Sequence, residues 1–206
     1  ECDRVRFGSK TNALASFREI RAERAASFRG TEFRGAAQFV AANFLGSVMF
    51  GAAGEGRGAL PAARFNGAVD FTGAQFGGEV DFNRVLFVLP VPVPFESTIF
   101  KDRARFSQAQ FAGGALFTQT KLGATADFEN TRFNGTEDGP AASFQDSEID
   151  GRANFAGAQF NGSADFRNVH FLGEAAFNAV AFAAEALFAY ARFDHAVSFA
   201  ELRAAK

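Results

Sequence analysis

Residues 155–199 read FAGAQFNGSADFRNVHFLGEAAFNAVAFAAEALFAYARFDHAVSF. Phenylalanine stands at positions 155, 160, 166, 171, 177, 182, 188, 193 and 199, so its steps alternate between five and six residues. The same alternation runs upstream through Phe28, Phe33, Phe39, Phe44 and Phe50, then through Phe65, Phe71, Phe76, Phe82 and Phe87. It continues through Phe95, Phe100, Phe106, Phe111, Phe117, Leu122, Phe128 and Phe133, then Phe144 and Ile149. From Phe28 onward every phenylalanine lies on this series, and only Leu122 and Ile149 replace it. The chain has 206 residues and 29 phenylalanines, against one tyrosine and no tryptophan.

A mean period of 5.5 fits neither an α-helix at 3.6 nor a coiled coil at 3.5. The residue two before each site is small or β-branched, as at Ala26, Thr31, Ala37, Ala42 and Val48, and points the same way along a short strand. The residue two after is often glycine, as at Gly35, Gly67, Gly73, Gly113 and Gly157. A short strand, a corner at glycine and another short strand make a coil, and stacked coils make a solenoid. Glycine fits such corners because they often need positive φ, which it tolerates. Two opposed phenylalanines overfill an 11-residue coil, whereas four faces and 22 residues give the rings a common axis. The expectation is an all-β, right-handed, four-sided parallel β-helix of about seven coils over residues 28–199.

The units Ala63-Arg64-Phe65, Ala158-Gln159-Phe160 and Ala191-Arg192-Phe193 resemble those of the pentapeptide-repeat family, whose consensus is A-(D/N)-L-x-x with Leu or Phe at the centre. The resemblance covers most of the chain, with two departures: the centre is almost always Phe, and every second unit has an extra residue. It implies the quadrilateral parallel β-helix. It also brings one functional precedent, DNA-shaped members that bind type II topoisomerases, so DNA gyrase or topoisomerase IV is a partner the resemblance implies.

Three stretches interrupt the series. Residues 51–64 include GAAGEGRGALPAA and read as a loop or as poorly matching units; residues 88–94 are VLPVPVP; residues 134–143 are NGTEDGPAAS. Proline removes ladder donors, so 88–94 is expected to leave the sheet. The steps from Phe87 to Phe95 and from Phe133 to Phe144 are six-residue steps with two and five extra residues. They are separated by eight sites, or two coils, so both loops should leave one edge about 10 Å apart. Val91, Pro92, Val93, Glu137 and Asp138 are the candidate partner-binding residues there. Residues 1–27 form either an N-terminal cap or a degenerate coil. The first reading makes residues 12–26 a helix capped by Thr11 or Asn12; the second takes Ala15-Ser16-Phe17 as a repeat unit. Residues 200–206 are a short tail.

The formal charge of −2 excludes a strongly basic nucleic-acid binder, and direct nucleic-acid binding is not expected. Residues 69–150 carry six basic and twelve acidic residues, and Asp81, Asp127 and Glu129 mark a candidate acidic face for DNA mimicry, with Arg105 between them. Apolar outward positions near the C-terminus, Leu172, Ala183 and Leu187, are candidates for an interface, including a homodimer through that end. The histidines, His170 and His195, are not spaced for a metal, and Cys2 allows neither an internal disulfide nor a cysteine zinc site. Asp146, Glu148 and Asp150 alternate as outward strand residues rather than as an acid–base pair. No phosphate loop or catalytic triad is legible, so neither catalysis nor a cofactor is expected. No signal-peptide pattern is present and a cytoplasmic location is the expectation, although a chain beginning at Glu1 also fits one domain of a longer protein. The leading functional expectation is a non-catalytic protein–protein interaction or scaffold module with an unidentified partner, and the alternative is a DNA mimic directed at a topoisomerase.

Overall fold

A computed structural model describes residues 2–8, 13–54, 59–136 and 139–204. The described residues form 33 short strands, each of two or three residues, and no helix. Each strand pairs in parallel and in register with the one four places earlier, as Phe33 with Phe65 and Phe100 with Leu122, except that Val93–Pro94 does not pair with Val69–Asp70. The result is a right-handed quadrilateral parallel β-helix. We number the faces by their order along the chain. The first holds Phe33, Phe65 and Phe87; the second Phe39, Phe71 and Phe95; the third Phe44, Phe76 and Phe100; the fourth Phe50, Phe82 and Phe106.

The rod is longer than the phenylalanine series that begins at residue 28. Arg6–Phe7 already pairs with Glu32–Phe33 on the first face, and Ala15–Ser16, Arg21–Ala22 and Ala26–Ser27 complete that coil. Residues 13–27 are therefore a coil and not a capping helix; Thr11 and Asn12 lie outside the described residues. The physical reason is register: Phe17 stacks on Phe39 at 4.7 Å, a contact worth more than the helix propensity of the segment. At the other end Arg203–Ala204 pairs with Ala181–Phe182, so the tail starts a further coil. Eight rounds of four strands precede that last strand, rather than about seven.

The rings form four columns along the axis. Within a column they stack nearly parallel, as Phe33 on Phe65 at 4.5 Å and Phe95 on Phe117 at 4.7 Å. Rings of the second and fourth faces meet edge to face across the axis, as Phe95 and Phe106 do at 5.6 Å and 87°. Both geometries suit the aromatic quadrupole.

The two step lengths are two kinds of corner. Five-residue steps follow the second and fourth faces and turn through a residue of positive φ two places after the ring, such as Ala41, Gln108 or Asn168. The amide one place further on donates to the ring residue's carbonyl, as Ala42 N–H to Phe39 O at 3.0 Å, which makes a type II turn. Thirteen of these positions are not glycine. Six-residue steps follow the first and third faces and carry most of the glycines. Apart from Gly8 and Gly114, whose φ is positive, these glycines answer close approach rather than φ: a Cβ on Gly113 would lie 2.1 Å from the backbone of Val91 in the preceding coil. Positive φ is thus the reason for glycine at Gly73 and Gly157, but not at Gly35, Gly67 or Gly113.

Two polar devices hold the corners. An Asp, Asn or Ser just before the ring on the second and fourth faces accepts from the amide just after it, as Asp70 Oδ1 from Thr72 N–H at 2.8 Å. This local bond gives the family's D/N position a physical role. Small hydroxyl residues behind the corners are fully buried, and each donates to a carbonyl in the preceding coil, as Thr98 to Phe71 O and Thr120 to Phe95 O, both at 2.8 Å.

Candidate functional site

The insertions after Phe87 and Phe133 leave one edge. The chain from Phe87 to Phe95 and from Phe133 to Phe144 in each case joins the first face to the second. The corner of the intervening coil, Gly113–Gly114, lies between them. Gly113 abuts the backbone of Val91, and a Cβ on Gly114 would meet the carbonyls of Pro140 and Ala141 at 2.8 Å. The chain from Phe7 to Phe17 crosses the same edge, although residues 9–12 lie outside the described residues.

Val88, Leu89 and Val91 are exposed on this edge and Pro92 is half-buried. Val93 is not an edge residue: it is 3% exposed and belongs to the strand Val93–Pro94, paired with Ala115–Leu116. The segment 88–94 therefore rejoins the sheet sooner than its prolines imply. Pro94 needs only its carbonyl, which accepts from Phe71 N–H at 2.9 Å, while Val93 N–H reaches Gly114 O at 3.0 Å. Of the two bonds that join neighbouring coils on this face, only the one from Phe71 N–H forms here, with none from Val69 N–H, so the second face is divided into sheets of three and five strands, yet Phe71 and Phe95 stack across the division at 4.8 Å. Glu137 and Asp138 lie outside the described residues.

A further insertion borders the first face on its other side. Residues 51–63 connect the fourth face to the first, closed by an antiparallel bridge between Ala53 and Leu60, with residues 55–58 outside the described ones. Between the insertions, the first face has a groove of about 240 Å³ lined by Arg64, Leu86, Val88, Gln110, Ala112 and Asn134. The inward phenylalanine series carries no sign of this groove, whose lining is outward. Taking the residue before every fourth ring finds it: Arg6, Glu32, Arg64, Leu86, Gln110, Arg132.

The acidic face is not a continuous one. Asp81 is buried, its carboxylate packed on Gly51 and 3.6 Å from Arg29. Burial pushes its carboxyl above the usual range, only partly opposed by the Asn83 amide and by Arg29. Arg105, next in the column, pairs with Glu79 at 2.8 Å. Asp127 is half-buried and accepts from Ser107 at 2.8 Å and Asn154 at 3.0 Å; of the three acids only Glu129 is exposed.

Leu172, Ala183 and Leu187 stand on the third, first and second faces respectively, beside Phe171, Phe182 and Phe188. They do not form one patch. The apolar surface of the last coil is instead Val197, Phe199 and Leu202, together with Tyr190, which is 85% exposed. On the third face Glu148 and Asp150 share Lys121, whose ammonium hydrogen-bonds Glu148 and holds that carboxyl below its ordinary value, while burial raises Asp150. Asp146 is not in that strand; it is a positive-φ corner residue bonded to Asn168 at 2.8 Å. His170 pairs with Asp194 at 2.9 Å, and His195 is exposed. Among the described residues no three His, Cys, Asp or Glu side chains are grouped to hold a metal, and no helix is long and apolar enough to cross a membrane.

With the rings, corners and capping residues in place, the sequence comparison agrees with the geometry. The family model for pentapeptide repeats (9 copies) matches residues 95–137 and 155–203. Those two stretches are pentapeptide repeats. No curated protein matches this chain. Among solved structures it is similar to a trypsin-treated variant of QnrB1, a plasmid-mediated fluoroquinolone resistance protein, at 14% identity over 96% of this chain and 92% of that one, with a TM-score of 0.24.

Proposed function

We propose that this protein is a non-catalytic protein–protein interaction module that binds through the loop-bearing edge between its first and second faces. The observation that supports this is the placement of both loops on one edge of a rigid stack, packed against a single glycine corner, with Val88, Leu89 and Val91 exposed beside them. Loops carried on a rigid scaffold pay little ordering entropy on binding. The test is a photo-crosslinking residue placed at Leu89, compared with one at the exposed Gln75 on the third face. A discrete adduct from position 89 alone, lost when residues 88–92 are shortened in a chain of unchanged melting temperature, is the expected result. Equal adducts from both positions would remove the edge reading.

The topoisomerase-directed reading has weaker support, because DNA mimicry needs a track of exposed acids and only Glu129 of the three is exposed. A gyrase supercoiling assay decides it: neither inhibition nor protection at micromolar protein eliminates it. A homodimer through the C-terminal end would be an end-on contact on Val197, Phe199 and Leu202, and sedentrimentation equilibrium of the wild type against Phe199→Asp tests it. A cytoplasmic location remains part of the proposal, tested by fractionation of the source cell.

A further inference from the structure

The outward column of the first face runs Glu32, Arg64, Leu86, Gln110, Arg132, each paired in register with the next. Among the described outward side chains of this face there are four arginines, Arg6, Arg34, Arg64 and Arg132, and one acid, Glu32. Glu32 is shared by Arg6 at 3.4 Å and Arg34 at 3.3 Å. The face is therefore basic in a protein whose formal charge is −2. Arg64 and Arg132 are both exposed, and between them the groove floor is apolar at Leu86 and Val88.

We propose that this groove takes an extended acidic segment of a partner protein, with carboxylates on Arg64 and Arg132 and an aliphatic side chain between them on Leu86 and Val88. The spacing sets the pattern. Three inter-strand steps separate Arg64 from Arg132, about 14 Å, and four residues of extended chain span about 13 Å. Residues i, i+2 and i+4 of such a segment point to one side, so the recognised pattern is acid-x-aliphatic-x-acid. The charge sign selects an acidic ligand and speeds its encounter. The apolar midpoint, with no aromatic side chain among the described outward residues of this face, favours a peptide over a nucleic-acid strand, which would need stacking platforms. This deepens the reading of the loop-bearing edge as an interaction surface and rests on it.

The test uses the full chain and a fluorescein-labelled peptide, GSESLSESG, followed by fluorescence anisotropy. The expected result is saturable binding that weakens at high salt, falls when the peptide leucine becomes serine, and drops about tenfold in the Arg64→Glu/Arg132→Glu variant. The charge-inverted peptide GSKSLSKSG should bind that variant better than it binds the wild type. Arg64→Gln/Arg132→Gln, with circular dichroism unchanged, serves if the inverted variant does not fold. Absence of saturation at millimolar peptide, equal binding of the scrambled GSEESSLSG, or displacement of the peptide by a single-stranded oligonucleotide at equal concentration would each overturn the proposal. An adduct at Leu89 together with no peptide binding would leave the edge reading standing and remove only the acidic-segment chemistry.

Discussion

At the scale of the residue, the two corner types assign glycine two different jobs, and substitutions separate them. Gly113 has ordinary φ but no room, since its Cβ would collide with the Val91 backbone at 2.1 Å. Gly113→Ala should cost about 1–3 kcal/mol through forced backbone movement, lowering the melting temperature by roughly 2–4 °C per kcal/mol. Gly73 is the reverse, with φ +67° and nothing within 4 Å of its Cβ. Gly73→Asn should therefore melt close to wild type, because Asn tolerates the left-handed region. Equal losses at the two sites in thermal melts would refute the distinction. Asp81 gives a pH-dependent prediction. Its folded-state value is raised by burial, so the protonated carboxyl favours the fold; that contribution is complete below the unfolded value and is lost as pH rises through the folded one. Asp81→Asn, which keeps an oxygen for the Asn83 amide, should be at least as stable as wild type at pH 7. Its advantage should shrink as pH falls toward 4 in paired urea titrations, and an advantage independent of pH would show that desolvation of the carboxylate is not the cause.

At the scale of the element, the unit is the ring column rather than the strand. A two-residue strand buries too little to persist alone, and each is held by the rings above and below. Phe106 is fully buried, stacked at 4.9 Å on both Phe82 and Phe128, and meets Phe117 edge to face at 5.4 Å. Phe106→Ala should cost about 3–5 kcal/mol. Phe199 has one stacked neighbour, Phe177 at 5.0 Å, and is 38% exposed, so Phe199→Ala should cost roughly 1–2 kcal/mol. Denaturant melts yielding similar values for both would contradict a column in which burial sets the contribution. These columns were legible in the sequence because an inward residue must satisfy every neighbour at once, and phenylalanine at a fixed step has no other explanation. The coil at residues 13–27 was harder to read, since Ala22 replaces a ring and only Phe17 marks the register. Outward side chains carry no such constraint. The burial of Asp81 follows from a chain crossing above it at Gly51, which lies 30 residues earlier, and the separation of Leu172, Ala183 and Leu187 appears only once each is assigned a face. The basic groove was equally present in the sequence, but only at every fourth site, a period that becomes visible after the four faces are established.

At the scale of the whole molecule, the alternation of steps makes opposite faces interchangeable. First and third faces are both followed by six-residue corners, second and fourth by five-residue corners with positive φ. A deletion of eleven residues removes one corner of each kind and returns the chain to the same phase, rotated by half a coil. Removing residues 101–111 joins Phe100 to Ala112, so Phe117 follows Phe100 by six residues and takes the fourth face in place of the second. Every later ring still meets a corner of the correct type, and the rod should stay folded with a single cooperative melt. The loop at 134–141, however, moves to the opposite edge from 88–92, and the groove loses Arg132 from its column. Removing residues 101–106 instead takes out one six-residue step, puts Phe111 five residues after Phe100, and leaves every following corner out of phase. Positive-φ turns then fall where wide corners are needed and close-approach glycines fall where tight turns are needed, so this shorter deletion should abolish the folded state. Circular dichroism melts and gel filtration of the two chains distinguish the outcomes, and the larger deletion being the better tolerated is the decisive sign. In the folded chain lacking 101–111, crosslinking through Leu89 and binding of the acidic peptide should both be lost, because the two loops and the two arginines no longer share an edge; retention of both activities would mean that neither depends on that shared geometry.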